Sequence, residues 1–346
     1  QGGGECRPVR RTQLSWLPKA FLSRRLRVKR VAVTGISGYL GTQILKLLDK
    51  DKDVETVVGI DIRPPNYSTG KLKFISRDVR EPMIDVFAKN NVDSAFHLAF
   101  VLPPKMGVDA HDINIRGSHS FLSACEATSV EALFYQSSHT VYGAHRDNPP
   151  LITEDQPLRP VANFPYGQDK AEVELMFQEY AKAHPKQSVT IVRVVSVVGP
   201  EAGPSGLNVL FMPVTIYVSS YNPGWQFIFE DDLARLDVTL VKERRSGIFN
   251  AGGEGAVPYR DMLKATGKPS LGLPSWLWTA LISFSWTLHL QRKSPAGGLD
   301  YMKHPIIVST EKLAKTTGFK FTMNSHDAIK SYMDAKMVGS KKAKAA

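Results

Sequence analysis

Tyr166 and Lys170 put a phenol and an ammonium four residues apart, in the run Tyr166-Gly167-Gln168-Asp169-Lys170. Positions i and i+4 share a helix face, and Val173, Leu175, Met176, Phe177 and Tyr180 supply the apolar set of a helix over 171–183. Both polar groups can then point into one cleft. A free tyrosine ionises near ~10 and is a poor base at neutral pH. A neighbouring cation favours the phenolate and brings it toward the range of general acid–base work. Upstream, Tyr135 to Gly143 ends a predicted strand with clustered hydroxyls, among them Ser137, Ser138 and Thr140. A serine there can hydrogen-bond the oxygen on a reacting carbon. Tyr-x-x-x-Lys is common by chance, so these groups gain meaning only from the elements that position them.

The positioning elements begin at residue 30. A short apolar strand, Val31-Ala32-Val33, runs into Gly35, Gly38 and Gly41, and then into an amphipathic segment with Ile44, Leu45, Leu47 and Leu48. Strand, glycine loop and helix in that order suit a dinucleotide pyrophosphate. Gly35 permits the tight turn, Gly38 the approach of phosphates, and Gly41 close packing of helix on strand. Ser37, Tyr39 and Leu40 belong to the same cofactor-binding run, with helix N–H groups facing the anion. A second strand, Thr56 to Ile60, ends in Asp61, 26 residues after Gly35. A carboxylate there binds the adenosine ribose hydroxyls and repels a 2′-phosphate, which favours NAD over NADP. Arg63, two residues on, is the competing feature, because it could accommodate that phosphate.

In this order the motifs resemble an extended short-chain dehydrogenase/reductase of the NAD-dependent epimerase/dehydratase branch, over about Val31 to Tyr332. The resemblance implies that Asp78 and Val79 lie near the adenine, that Leu98 and Ala99 follow the fourth strand beside the cofactor, and that Asn114 is the family's helix-borne asparagine. It implies that Ser138 sits by the substrate oxygen with Thr140 assisting, that Tyr166 is the acid–base residue, and that Lys170 holds the nicotinamide ribose. Arg193 and Gly199-Pro200 match the strand and turn that open the substrate-binding part. Asp231-Asp232-Leu233-Ala234 and Gly247-Ile248-Phe249-Asn250 match later landmarks. One departure concerns the substrate. Nucleotide-sugar epimerases carry an arginine before the acidic pair, and the run Trp225 to Asp231 has none.

Hydride transfer at a secondary alcohol or ketone is therefore expected, by a dehydrogenase or an epimerase. A nucleotide-sugar 4-epimerase or dehydratase, and a non-catalytic NAD-binding sensor or scaffold, are the alternatives. The apolar run Trp225 to Phe229 reads as a wall suited to a less charged ligand.

Strand-like and helix-like runs alternate through the first half, which argues for a doubly wound parallel α/β sheet of Rossmann type with a smaller C-terminal substrate-binding lobe. We divide the chain into a basic extension (1–29), a mainly dinucleotide-binding part (30–200), a mainly substrate-binding part with returning core elements (201–335) and a basic tail (336–346).

The net charge of +11 is confined to the ends: about +8 in residues 1–30 and +4 in 336–346, leaving the body near −1. A nucleic-acid face on the folded part is therefore not expected. No metal site is expected, since the histidines lack ligand-like spacing, and His97 reads as structural. His139, beside Ser138, reads as either packing or pocket lining. Cys6 and Cys125 cannot form a disulfide framework, and Cys125 reads as a core residue. A small-molecule substrate, a homodimer and a cytoplasmic location are expected, with weak peripheral membrane contact through the basic, leucine- and aromatic-bearing N-terminal segment. Leu271–Leu290 lacks Asp, Glu, Lys and Arg and holds three tryptophans. Its helical spacing reads first as a buried or substrate-covering helix, then as a membrane-surface helix, and last as a span.

Overall fold

The computed structural model describes residues 28–102, 109–203, 206–288 and 296–345. The basic segment before Val28 and Cys6 lie outside the described residues. The elements run β1 (Arg30–Thr34), α1 (Tyr39–Lys50), β2 (Thr56–Asp61), β3 (Leu72–Ser76), α2 (Ile84–Lys89), β4 (Ser94–His97), α3 (Ala110–Ala127), β5 (Ala132–Ser138), α4 (Pro165–Ala183) and β6 (Ser188–Val194). They continue as β7 (Ser196–Val198), β8 (Thr215–Val218), β9 (Gly224–Trp225), β10 (Phe227–Phe229), α5 (Glu230–Lys242), β11 (Gly247–Ala251), β12 (Val257–Pro258), α6 (Tyr259–Ala265), β13 (Ser270–Leu273), α7 (Ser275–Thr287), α8 (Glu311–Thr317) and α9 (Ser325–Ala345).

Among the described residues, seven strands form the central sheet in the order β11-β6-β5-β4-β1-β2-β3. Every pairing in it is parallel. The doubly wound expectation is thus met, and its physical basis is visible in β1. Val31 and Val33 pack into a layer with Ile44, Leu45 and Leu48 of α1 and Leu236 and Leu240 of α5. Ala32 faces the other layer, with Phe87 of α2, Phe121 of α3 and Phe177 of α4. A strand covered on both faces must be apolar throughout. Order reverses between β1 and β4, so the crevice at their C-terminal ends is where a ligand belongs.

The later part returns α5 and β11 to this sheet. Its remaining strands form only two-stranded pieces: β7 with β10, β9 with β12, and β8 with β13. They surround a separate core that includes Leu207, Leu210, Phe227, Tyr259 and Tyr332.

Two expectations need correction. Phe227 and Ile228 are fully buried core residues and offer no open wall to a ligand. Within 271–288 the helix begins only at Ser275, because Ser270–Leu273 pair with β8, and no residue of that segment with a described side chain is buried. Among the described residues no helix is long and apolar enough to cross a membrane.

Candidate functional site

The glycine loop is built by contact. Gly35 has φ +72°, and a Cβ there would fall 2.6 Å from the Ala99 nitrogen. That close approach joins the end of β1 to Leu98 and Ala99 after β4. A Cβ on Gly41 would fall 2.4 Å from the Gly35 carbonyl oxygen, so only glycine lets α1 start this close to the turn. Gly38 precedes α1 and donates its N–H to the Gly35 carbonyl at 3.0 Å. Tyr39 opens α1 and its hydroxyl donates to Glu230 at the start of α5, while Leu40 packs on the core.

Asp61 ends β2 beside the loop. One carboxylate oxygen accepts the Ser37 N–H at 3.2 Å and the other the Arg63 N–H at 3.3 Å. The Arg63 side chain is exposed. Asp78 is held by Arg80 at 2.8 Å, and Arg80 reaches on to Asp112 of α3, also at 2.8 Å. This guanidinium holds the Asp78 carboxyl below its ordinary range. Val79 lies over Gly117 of α3.

Ser138 closes β5, and its hydroxyl oxygen accepts the Thr140 N–H at 3.2 Å and the Thr140 hydroxyl at 3.0 Å. Tyr166 and Lys170 both lie on α4, which starts at Pro165, earlier than the sequence suggested. Burial pushes the Tyr166 phenol up and a hydrogen bond with Ser138 pulls it down; the net direction is up. The lysine itself is the strongly shifted group. Its Nζ donates to the Gln136 carbonyl at 2.7 Å and lies 3.7 Å from the Phe100 ring centre. Burial lowers it to about 7, against the opposing pull of Glu174 and Asp169.

Phe100 also meets the Tyr166 ring edge-on at 5.7 Å. The path Gly35–Ala99–Phe100 therefore carries the glycine loop directly to Tyr166 and Lys170. The Tyr301 ring stacks obliquely on Phe164 at 4.7 Å. Phe164 meets Tyr166 at 6.0 Å. Aromatic rings therefore flank Tyr166 on two sides.

A family model described as the NAD-dependent epimerase/dehydratase family matches residues 31–252. The chain belongs to this family. Like the family, it is an NAD-dependent enzyme, and its glycine loop and Asp61 fit that dinucleotide. A UDP-glucose 4-epimerase of Pasteurella multocida is 26% identical over 341 residues, covering 78% of this chain and 99% of the relative. An uncharacterised protein of Mycobacterium tuberculosis is 23% identical over 316 residues, covering 88% and 83%. Among solved structures, MoeE5 in complex with UDP-glucose and NAD superposes with TM-score 0.69 at 20% identity, covering 90% of this chain and 99% of that one. The dTDP-glucose 4,6-dehydratase of Bacillus anthracis in complex with NAD superposes with TM-score 0.68 at 14% identity, covering 89% and 96%. These structural likenesses show the shared fold.

Glu174 escaped sequence reasoning. Glu174, one turn beyond Lys170, is fully buried and pairs with Arg193 of β6 at 2.6 Å. It also accepts from the Ser137 hydroxyl at 2.5 Å. The Arg193 fork continues to the Tyr142 hydroxyl at 2.7 Å, and that hydroxyl donates to Asn250 at 2.7 Å. This network fixes α4, and hence Tyr166 and Lys170, against β5 and β6. A carboxylate at helical spacing from Tyr166 and Lys170 on a buried face was the available signal. Asn114 brackets Val101, accepting its N–H and donating to its carbonyl, and also donates to Asp169 at 2.9 Å.

His97 reads as expected. Its ring bridges Thr34 and Ser118, each at 2.9 Å, and burial lowers it to about 3. His139 donates from Nδ1 to the Val194 carbonyl at 3.0 Å and is lowered by burial to about 4, which favours the packing role. Gln226 is also structural. Its amide bonds the backbone of Gly253 and of Val308.

Proposed function

We propose that this protein transfers hydride between NAD and a secondary alcohol or ketone, with Tyr166 as the acid–base residue and Ser138 its partner. The observation that carries the reading is that Tyr166 and Lys170 share α4 and both meet the Phe100 ring, one residue beyond Ala99, which Gly35 abuts. Gly35, Ser37, Gly38, Tyr39, Leu40 and Gly41 would hold the pyrophosphate, with Asp61 on the adenosine ribose. Asp78 and Val79 would lie toward the adenine, and Leu98 and Ala99 would lie along the dinucleotide. NAD when bound supplies the hydride acceptor. Tyr166 takes the hydroxyl proton of the substrate on its phenolic oxygen, or returns it to the ketone. Ser138 hydrogen-bonds the same substrate oxygen, and Thr140, bonded to Ser138, orients it. Lys170 binds the nicotinamide ribose and contributes positive charge near the phenol. Phe100, Phe164 and Tyr301 exclude water from the reacting centre. We assign 30–200 mainly to the dinucleotide and 201–335 mainly to the substrate.

The substrate class we favour is a nucleotide sugar, turned over by epimerisation or dehydration. The names of the sequence relatives support it. A less charged alcohol is the second reading, favoured by the lack of arginine between Trp225 and Glu230, since a half-buried diphosphate wants a matched cation. We expect the basic N-terminal segment to add salt-sensitive contact with anionic membranes, and the protein to form a homodimer in solution, which sedimentation measures.

The test is Tyr166→Phe. Turnover of nucleotide sugars by the NAD-loaded protein should fall by roughly 10²-fold or more, while NAD binding is kept. Near-normal turnover would remove Tyr166 from the chemistry. Stabilisation and turnover by apolar alcohols alone would overturn the nucleotide-sugar reading.

A further inference from the structure

We infer that Asp169 and His111 are positioning residues for the reaction: through Asn114 they hold the backbone at Val101, and with it the Phe100 ring, against Lys170 and Tyr166. The inference rests on the roles proposed for those two residues. The buried Lys170 ammonium sits between the Gln136 carbonyl and two rings, with Phe100 at 3.7 Å and Tyr135 at 5.0 Å. Tyr135 belongs to β5 and is fixed by the sheet. Phe100 lies in the segment after β4, outside the sheet ladder. Its place over Lys170 therefore depends on what fastens its two neighbours.

On one side Ala99 abuts Gly35 and donates its N–H to the Thr34 hydroxyl at 3.4 Å. On the other side the buried Asn114 of α3 takes hold of Val101. Its Oδ1 accepts the Val101 N–H at 2.8 Å, and its Nδ2 donates to the Val101 carbonyl at 3.0 Å. An amide makes this pair of bonds in one orientation, because its oxygen accepts and its nitrogen donates. Asp169 of α4 fixes that orientation, since its Oδ2 accepts from the same Nδ2 at 2.9 Å. Its Oδ1 accepts the His111 Nδ1–H at 2.8 Å. An ionised carboxylate can only accept, so the proton lies on the histidine nitrogen. Asp169 is buried, and a buried carboxylate needs such donors. His111, Asp169 and Asn114 thus form a latch between α3, α4 and the segment that carries Phe100.

The chemistry of the latch gives it a signature. The His111 side chain is 61% exposed and exchanges protons with solvent. Asp169 and Glu172 of α4 and Asp109 at the start of α3 favour its protonated form. Neutral or protonated, the ring can donate from Nδ1 to a carboxylate, so the wild-type latch survives titration of the histidine. An amide in place of Asp169 behaves differently. With its oxygen on Asn114, its nitrogen must donate to His111, which a neutral ring accepts and an imidazolium refuses. The Asp169→Asn protein should therefore be latched above about pH 6.5, the ordinary histidine value, and unlatched below it. Lys170 also titrates and feels both Asp169 and Glu174, so the histidine's part is isolated by removing the histidine.

The experiment uses the full chain and measures NAD affinity by titration calorimetry, with UDP-glucose turnover by the NAD-loaded protein beside it, at about pH 8 and about pH 5.5, on either side of the histidine value. Asp169→Ala should lose NAD affinity and kcat by roughly tenfold or more at both pH values. Asp169→Asn should restore both at the higher pH and fall to the alanine level at the lower. Adding His111→Ala to Asp169→Asn should abolish that fall. If Asp169→Ala does not fold, the contrast within the folded Asp169→Asn protein decides, and if UDP-glucose is not turned over, the NAD titrations decide. Asp169→Asn that matches wild type at both pH values would overturn the inference. So would a fall that persists without His111, which would belong to Lys170 itself. Lys170→Ala separates the two levels of the argument. If it loses NAD affinity while Asp169→Ala keeps it, the latch fails and the role of Lys170 stands; if Lys170→Ala also keeps it, that role fails and the inference with it.

Discussion

The two ends of the chain's architecture are held together differently. The sheet half is over-determined: the glycine loop leaves no room for a single Cβ at Gly35 or Gly41, and α4 is clamped to β5 and β6 by a buried ion pair. The lobe of β8, β13 and α7 consists of a two-stranded ribbon and a helix with no described buried side chain. The first region tolerates no change in shape because its backbones touch. The second region leaves Trp276, Phe284 and Leu288 uncovered among the described residues. A dinucleotide site needs N–H groups held in fixed positions, which the rigid backbone contacts of the first region supply.

The largest test of this contrast is the clamp. Glu174→Ala leaves the Arg193 guanidinium buried without its carboxylate and should cost about 3–5 kcal/mol, read as a fall in the denaturant midpoint. A loss below about 1 kcal/mol would mean that α4 is held by packing alone. Next is Gly35→Ala, which combines a positive φ with a backbone clash and should cost roughly 1–3 kcal/mol or more together with NAD affinity. Its control is Gly203→Ala, where a Cβ meets nothing within 4 Å. That change should stay within about 0.5 kcal/mol. Equal losses at the two glycines would erase the contrast.

Asp237 sharpens the comparison from within the sheet half. It lies on α5, fully buried, and neither carboxylate oxygen has a hydrogen-bond partner. Burial raises its pKa well above the ordinary 3.8. The folded state therefore holds a proton that the unfolded state releases above 3.8, so stability is lost as pH rises past that value. Asp237→Leu should stabilise by about 1–3 kcal/mol at pH 7, with the gain shrinking toward pH 4. A gain independent of pH would point to packing instead of ionisation.

A further effect is acid-side. His97 and His139 are held neutral by burial, at about 3 and about 4. The unfolded chain protonates them below about 6.5, so their contribution is lost as pH falls through 6.5 toward those values. The unfolding free energy should slope by up to about 1.4 kcal/mol per pH unit for each histidine between pH 6 and 5. His139→Asn should halve that slope.

Local chemistry was legible because it depends on near neighbours in the chain. The glycine spacing, Asp61 at the end of β2, the i and i+4 pairing of Tyr166 with Lys170 and the alternation of parallel strands all follow from backbone periodicity. The concentration of positive charge at the two ends is a property of the sequence alone, since charge counts need no coordinates. Which groups meet across the fold was not. Nothing in the sequence says that Gly35 abuts Ala99, that Phe100 lies against Lys170, or that burial lowers Lys170 and raises Tyr166. Those depend on desolvation and on contacts between residues tens of positions apart. The same holds for Phe227 and α7. Both are apolar runs of similar appearance, yet one is core and the other surface, because periodicity reports an apolar face and only tertiary packing decides whether another element covers it.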